Sequence, residues 1–223
     1  MPHLILTGFS GTGKTVIGRE CARLLGWDFL DTDEEILRRA GKPIHKIFEE
    51  DGEPAFRRLE AQAVSEACTR VSPTVIATGG GAMVDPKNRD LMLRSGVVVC
   101  LEARPETVYK RIFAADTAGG TVRPLLQAPD ALARIRGLKA SRQEAYALAH
   151  WTVHTDDLAA EEAAREAVRA FSLLAPRSFP PSPDQDMAGV VVTSQGVCPL
   201  YAGWGLLDRL GERCRSAGLG TVA

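Results

Sequence analysis

Lys14 and Thr15 close the octapeptide GFSGTGKT, Gly8 to Thr15, which follows the apolar run His3 to Thr7. A lysine and a hydroxyl directly after spaced glycines suit one kind of chemistry. Glycines let backbone N–H groups curl around phosphate oxygens, and the helix that follows points its N-terminal dipole at them. Lys14 then meets the β and γ phosphates and Thr15 ligates Mg²⁺. Gly11, Thr12, Gly13, Lys14 and Thr15 are the candidate nucleotide contacts, and ATP with Mg²⁺ is the expected cofactor set. A strand before and a helix after are the context the pattern needs, which a mere Gly-rich turn would not require. The loop is shared by kinases, switches, motors and transporters, so it does not name the group that receives the phosphate.

Candidates for that recipient site lie further along. DFLDTD puts Asp31 and Asp33 at the carboxyl end of a second expected strand, where open parallel sheets gather ligands. Alternate strand residues share a face, so both carboxylates can point into one crevice. One can hold Mg²⁺ through water, while the other can accept a proton from a substrate hydroxyl. The third expected strand ends in TGGG with no acid, which leaves the organising of Mg²⁺ to Asp31. A helix cap, with Asp33 capping Glu34 to Ala40, explains the same residues without chemistry. In EPAFRRLE, Arg57 and Glu60 are three apart and can pair on one helix face, which is also how a solvated charged face reads. Gly79, Gly80 and Gly81 allow another molecule to approach the backbone, or simply make a flexible turn. Arg123 stands near the end of AADTAGGTVRP, the small, polar, Gly-rich run between Phe113 and Leu125 that reads as a mobile lid. Arg142 follows in KASRQEAY, as a ligand-facing cation or a surface charge.

The elements that must position these residues alternate short apolar runs with helical patterns. The runs are His3 to Thr7, Asp28 to Asp31, Thr74 to Thr78, Val97 to Leu101 and Trp151 to Thr155. Helical stretches cover Thr15 to Gly26, the chain up to Arg70, Pro105 to Phe113, Asp130 to His150 and Ala159 to Leu174. This is the rhythm of an α/β fold with a five-stranded parallel sheet and helices on both faces. Residues 1–174 are the expected first domain. PRSFPPSPDQD breaks the composition and makes 175–187 a Pro-rich linker. Residues 188–223 read as two strands joined by a Gly-containing turn and a helix ending at Gly218, a short incomplete α/β segment.

Bulk properties narrow the partners. A formal net charge of -1 gives no general field to attract nucleic acid or anionic lipid. No run approaches the roughly 20 apolar residues of a membrane span, and no secretory leader pattern opens the chain, so a cytoplasmic protein is expected. Cys21, Cys68, Cys100, Cys198 and Cys214 are scattered without a C-x-x-C pair, which argues against a disulfide framework or zinc site. His150 and His154 have helical i, i+4 spacing but straddle a helix-to-strand junction at Trp151, so a structural role is expected.

Taken in order, the phosphate loop, DTD, FRRLE, TGGG, RPLL and the arginine of the following helix resemble shikimate kinase over residues 3–172. The resemblance implies a P-loop NTPase fold of the nucleoside monophosphate kinase type. It implies that Asp33 binds the shikimate hydroxyls and is the candidate base, and that Arg57 and Arg142 hold the carboxylate. Gly79 to Gly81 would line the ring, and Lys14 and Arg123 would work on the phosphates. The reaction implied is transfer of the γ-phosphoryl group of ATP to the shikimate 3-hydroxyl. CPLYAGWGLLDRLGERCRSAGL resembles the beginning of 3-dehydroquinate synthase, which implies a fused two-enzyme chain. Gluconate kinase or another small-metabolite kinase is the alternative within the class, and a non-catalytic nucleotide-binding module the alternative outside it.

Overall fold

His3–Thr7 is buried along its whole length and forms β1, the middle strand of the sheet. The computed structural model describes residues 2–116, 130–175, 187–193 and 196–201. It divides into two units, Met1–Ala175 and Pro176–Ala223.

In the first unit β1 leads through the phosphate loop into α1 (Lys14–Leu25), then β2 (Asp28–Asp31), α2 (Thr32–Ala40), α3 (Ile44–Glu50) and α4 (Glu53–Cys68). β3 (Thr74–Ala77), a 3₁₀ turn at Ala82–Val84, α5 (Pro86–Ser95) and β4 (Gly96–Glu102) follow. α6 (Pro105–Asp116), α7 (Ala131–Tyr146), β5 (Trp151–His154) and α8 (Ala160–Leu174) complete the unit. The sheet is parallel throughout, with order β2-β3-β1-β4-β5.

Apolar residues on both faces of the strands explain why both are covered. Ile5, Ile76, Val98 and Cys100 face a core completed by α4, α5, α6 and α7. Leu4, Leu6, Val75, Val97 and Val99 face the other way, against Ile17 and Cys21 of α1 and the alanine stripe of α8. Burying a side chain of that size contributes about 1.5–3 kcal/mol, so two such layers carry most of the driving force. Ile36, Ile47, Phe56 and Ala63 form a third cluster that joins α2, α3 and α4 into one flap beside β2.

Several elements differ from the sequence reading. α6 runs on through Asp116, past the expected helix end at Phe113 and into the start of the Gly-rich run; the Phe113 ring packs on Tyr109 at 4.4 Å. That i, i+4 aromatic contact supports another helical turn. The rest of the lid, with Arg123, lies outside the described residues. α7 stops at Tyr146 instead of reaching His150, whose N–H donates to the Val98 carbonyl and so already follows the sheet. The His150 ring accepts from the Val98 N–H at 2.9 Å, a structural use. No cluster of three or more His, Cys, Asp or Glu suited to a metal occurs among the described residues. Cys21, Cys68 and Cys100 are buried, and burial pushes their thiols up to about 12, about 11 and about 12, as inert core residues. Cys214 and the side chain of Cys198 lie outside the description.

His3 supplies a testable pH dependence. Its ring is 2% exposed and accepts the Thr74 N–H at 3.3 Å, and burial holds its pKa below the ordinary histidine value. The unfolded chain therefore takes up this proton first, and stability present above the unfolded pKa is lost as pH falls through about 6.5. Urea midpoints at about pH 7.5 and pH 5.5 are expected to differ less in His3→Leu than in the parent chain. An equal difference in both overturns the assignment.

The second unit contains an antiparallel pair, β6 (Met187–Thr193) and β7 (Gly196–Tyr201), with a register irregularity between Met187 and Gly189. Of the expected linker, 176–186 lie outside the described residues, while Met187 already opens β6; the expected C-terminal helix also lies outside them. No helix among the described residues is long and apolar enough to cross a membrane.

Candidate functional site

The carboxyl ends of β1, β2 and β3 open into a cleft of about 710 Å³. β1 delivers the phosphate loop, whose first glycine cannot be replaced cheaply. Gly8 has φ 128, and a Cβ there would overlap the Leu101 carbonyl oxygen of β4. Gly13, with φ 96, caps α1, and no acidic side chain sits in that helix's first turn. The first N–H groups of α1 have no intrahelical partner, and its positive end suits an anion. Lys14 Nζ donates to the Gly8 carbonyl at 3.0 Å and the Phe9 carbonyl at 2.9 Å. The Thr12 hydroxyl is committed inside the loop, donating to the Phe9 carbonyl at 2.8 Å. Thr12 is 0% exposed and does not line the cleft, so only its main chain could serve a phosphate.

Thr15 donates its hydroxyl to Asp31 Oδ2 at 2.7 Å, which brings a neutral and an anionic oxygen together at the end of the loop. This hard oxygen pair suits Mg²⁺, which is held by few protein ligands and completed by phosphate oxygens and water. The two aspartates are not placed by strand alternation, as the sequence had suggested. Asp31 ends β2 and caps α2, with Oδ1 accepting the Asp33 N–H at 2.9 Å, so the cap is Asp31 and not Asp33. Asp33 stands in the first helical turn because the chain switches from strand to helix between the two. Its carboxylate still lines the cleft.

α4 supplies Arg57 and Glu60. Arg57 Nη1 donates to Glu60 Oε2 at 2.7 Å and Nη2 donates to Glu53 at 2.9 Å. Glu60 is 1% exposed, so this pair is no solvated face. Burial pushes the Glu60 carboxyl above its usual range despite Arg57. Burial also works against the Arg57 charge, but Glu60 and Glu53 overcome it and hold that pKa above the ordinary value. α2 is fastened to α4 by Arg39, which pairs with both Glu35 and Glu66. Hydrogen bonds from Arg38 and Arg39 draw the Glu35 carboxyl down to about 2.

Gly79, Gly80 and Gly81 fill the gap between these groups. The Gly79 N–H donates to Thr32 Oγ1 at 3.0 Å. A Cβ on Gly79 would stand 2.8 Å from Asp33 Oδ1 and 2.8 Å from Glu60 Oε1, and one on Gly81 would stand 2.5 Å from Arg57 Nη1. A side chain at Gly79 or Gly81 would have to displace the ends of Asp33, Glu60 or Arg57. From α7, Arg142 Nη1 donates to the Gly80 carbonyl at 3.0 Å, beside Tyr146, whose hydroxyl donates to the same oxygen at 2.6 Å. Burial raises the Tyr146 phenol to about 12, so it stays a donor.

Gly11, Gly13, Lys14, Thr15, Asp31, Asp33, Arg57, Gly79 to Gly81 and Arg142 thus share one cleft. Arg123 lies outside the described residues. The sequence reading assigned no role to Tyr146 or Arg111. Arg111 lines the cleft and donates to Thr155 Oγ1 at 2.9 Å, and that hydroxyl is 3.4 Å from the Thr12 carbonyl. Its only sequence signal was a cation on the helix leading into the Gly-rich run, a weak one.

The arrangement can bind a polyphosphate and Mg²⁺ at one end and an anionic, hydroxylated small molecule at the other. A family model described as shikimate kinase matches residues 10–172. A shikimate kinase of Caldanaerobacter subterraneus subsp. tengcongensis is 40% identical over 171 residues, covering 77% of this chain and 96% of the relative. One from Symbiobacterium thermophilum is 44% identical over 155 residues, covering 69% and 87%. The solved shikimate kinase of Acinetobacter baumannii in complex with shikimate superposes with a TM-score of 0.70 at 37% identity, covering 76% of this chain and 92% of that one. That of Aquifex aeolicus gives 0.62 at 28% identity, covering 75% and 94%.

Proposed function

The chain belongs to the shikimate kinase family, and on that premise we propose that it transfers the γ-phosphoryl group of ATP to the 3-hydroxyl of shikimate. The observation that carries the reading is the gathering of Asp33, Arg57, the three glycines and Arg142 in the same cleft as the phosphate loop. A binding module has no need of the second group.

Lys14 leaves the Gly8 and Phe9 carbonyls for phosphate oxygens, where it neutralises charge as the phosphoryl group moves. Gly11 to Thr15 hold the polyphosphate through main-chain N–H groups, and Arg111 flanks the nucleotide half. Thr15 and Asp31 would hold Mg²⁺, which when bound would offset the negative charge of the phosphates. Arg57 and Arg142 present guanidinium forks to one small carboxylate, a directional, charge-assisted arrangement. Gly79 to Gly81 let the ring lie against backbone. Asp33 accepts the hydroxyl proton as the oxygen bonds to phosphorus and the bond to ADP breaks. Arg123 completes the phosphate contacts from the lid, a role supported by the family resemblance.

The same proposal takes residues 1–174 as the kinase domain and 175–187 as a linker, and places the protein in the cytoplasm, where ATP is made available. For 188–223 the support is the sequence likeness to the start of 3-dehydroquinate synthase. Intact mass of the polypeptide expressed from its native locus tests that fusion, and a mass matching these 223 residues alone overturns it.

A coupled assay of ADP release tests the activity itself. Turnover is expected with shikimate plus ATP and Mg²⁺ and not with gluconate. Phosphorylation of gluconate without shikimate activity overturns the substrate.

A further inference from the structure

One turn before Arg142, α7 carries a second cation that the proposed chemistry does not use. Lys139 is 7% exposed, and its ammonium is ion-paired with the Glu102 carboxylate at the end of β4. It lies 5.9 Å from the centroid of the Phe9 ring, while the Arg142 guanidinium carbon lies 5.5 Å from the same ring. Phe9 belongs to the phosphate loop and is 1% exposed. α7 therefore rests on the loop through two cations, i and i+3, that both approach one aromatic ring.

Burying this pair is a poor way to gain stability. Desolvating two charges costs about as much as their attraction returns, and apolar residues of similar size are often neutral or better. Geometry is what the pair does supply. Glu102 is fixed in the sheet, its carbonyl accepting the Thr155 N–H at 2.8 Å. Its second carboxylate oxygen is buried with no hydrogen-bond partner among the described residues, so Lys139 is the contact that satisfies this group. A helix tied to a strand end at Lys139 cannot rotate about its axis without breaking that contact. Arg142, one turn on, inherits the restraint.

We propose that Lys139, through Glu102 and Phe9, is a positioning residue that sets the rotation of α7 and so aims Arg142 at the acceptor carboxylate. This rests on the reading of Arg142 as a carboxylate ligand. Separate KM values for shikimate and ATP test it in the full chain. Lys139→Met is expected to raise the shikimate KM about tenfold with the ATP KM within about twofold, whereas Lys139→Arg, which keeps the pair, stays near the parent. If the single variant does not fold, the Glu102→Met and Lys139→Met double variant removes both charges and is expected to show the same selective rise.

A shikimate KM that is unchanged in the folded variant overturns the inference. So do two KM values that rise in parallel, or a Lys139→Arg variant as impaired as Lys139→Met. Arg142→Lys runs alongside. If it raises the shikimate KM while Lys139→Met does not, only the inference falls; if it leaves that KM unchanged, the reading of Arg142 falls and takes the inference with it.

Discussion

Asp33→Asn is expected to lower kcat for shikimate phosphorylation by about three orders of magnitude while ATP affinity stays within about twofold. Asparagine has the same shape and can still hydrogen-bond a substrate hydroxyl, but it cannot take that hydroxyl's proton at neutral pH. The backbone is indifferent to the change, because the cap of α2 is the Asp31 carboxylate accepting the residue 33 N–H. Glu34 and Glu35 still place negative charge in the first turn of that helix. ATP meets the other half of the cleft. Steady-state kcat, together with calorimetric titration of nucleotide, separates the two effects. A kcat within tenfold of the parent would remove Asp33 from the role of base.

Replacing Gly79 by alanine should be nearly as severe for a different reason. The new methyl carbon would stand 2.8 Å from Asp33 Oδ1 and equally close to Glu60 Oε1, too near for either to stay. Both are side-chain ends, so the fold yields by moving them. Movement is the damage, since Asp33 is the proposed base and Glu60 holds Arg57. We expect kcat/KM for shikimate to fall about 100-fold, with the melting temperature lowered by only a few degrees. Loss of activity that merely tracks unfolding would argue that the glycine is structural.

The sequence revealed most where one residue type has one physical use. GFSGTGKT needs glycines for backbone curvature and a lysine for phosphate, so it could be read without a partner in view. The three inner strands were legible because strands buried on both faces read as largely apolar runs. Asp31 and Asp33 were found for an incomplete reason, because the strand ends between them and a helix turn does the placing. Glu60 looked like half of a surface pair, and only the packing of α4 beneath Gly79 and Gly81 makes it a buried anchor. Tyr146 and Lys139 had no signal at all, and Arg111 only the weak one of a cation on the helix leading into the Gly-rich run. Their partners, Gly80, Thr155 and Glu102, are distant in sequence and meet them only through the fold.

Two cations of the cleft already hold carbonyls of its own loops: Lys14 those of Gly8 and Phe9, Arg142 that of Gly80. On the roles proposed for Lys14 and Arg142, ligand capture is an exchange reaction, in which an internal neutral acceptor is surrendered for an external one. A neutral look-alike of either ligand offers nothing better than the carbonyl it would displace, whereas an anion does. On those roles the cleft discriminates against uncharged solutes before shape is ever compared.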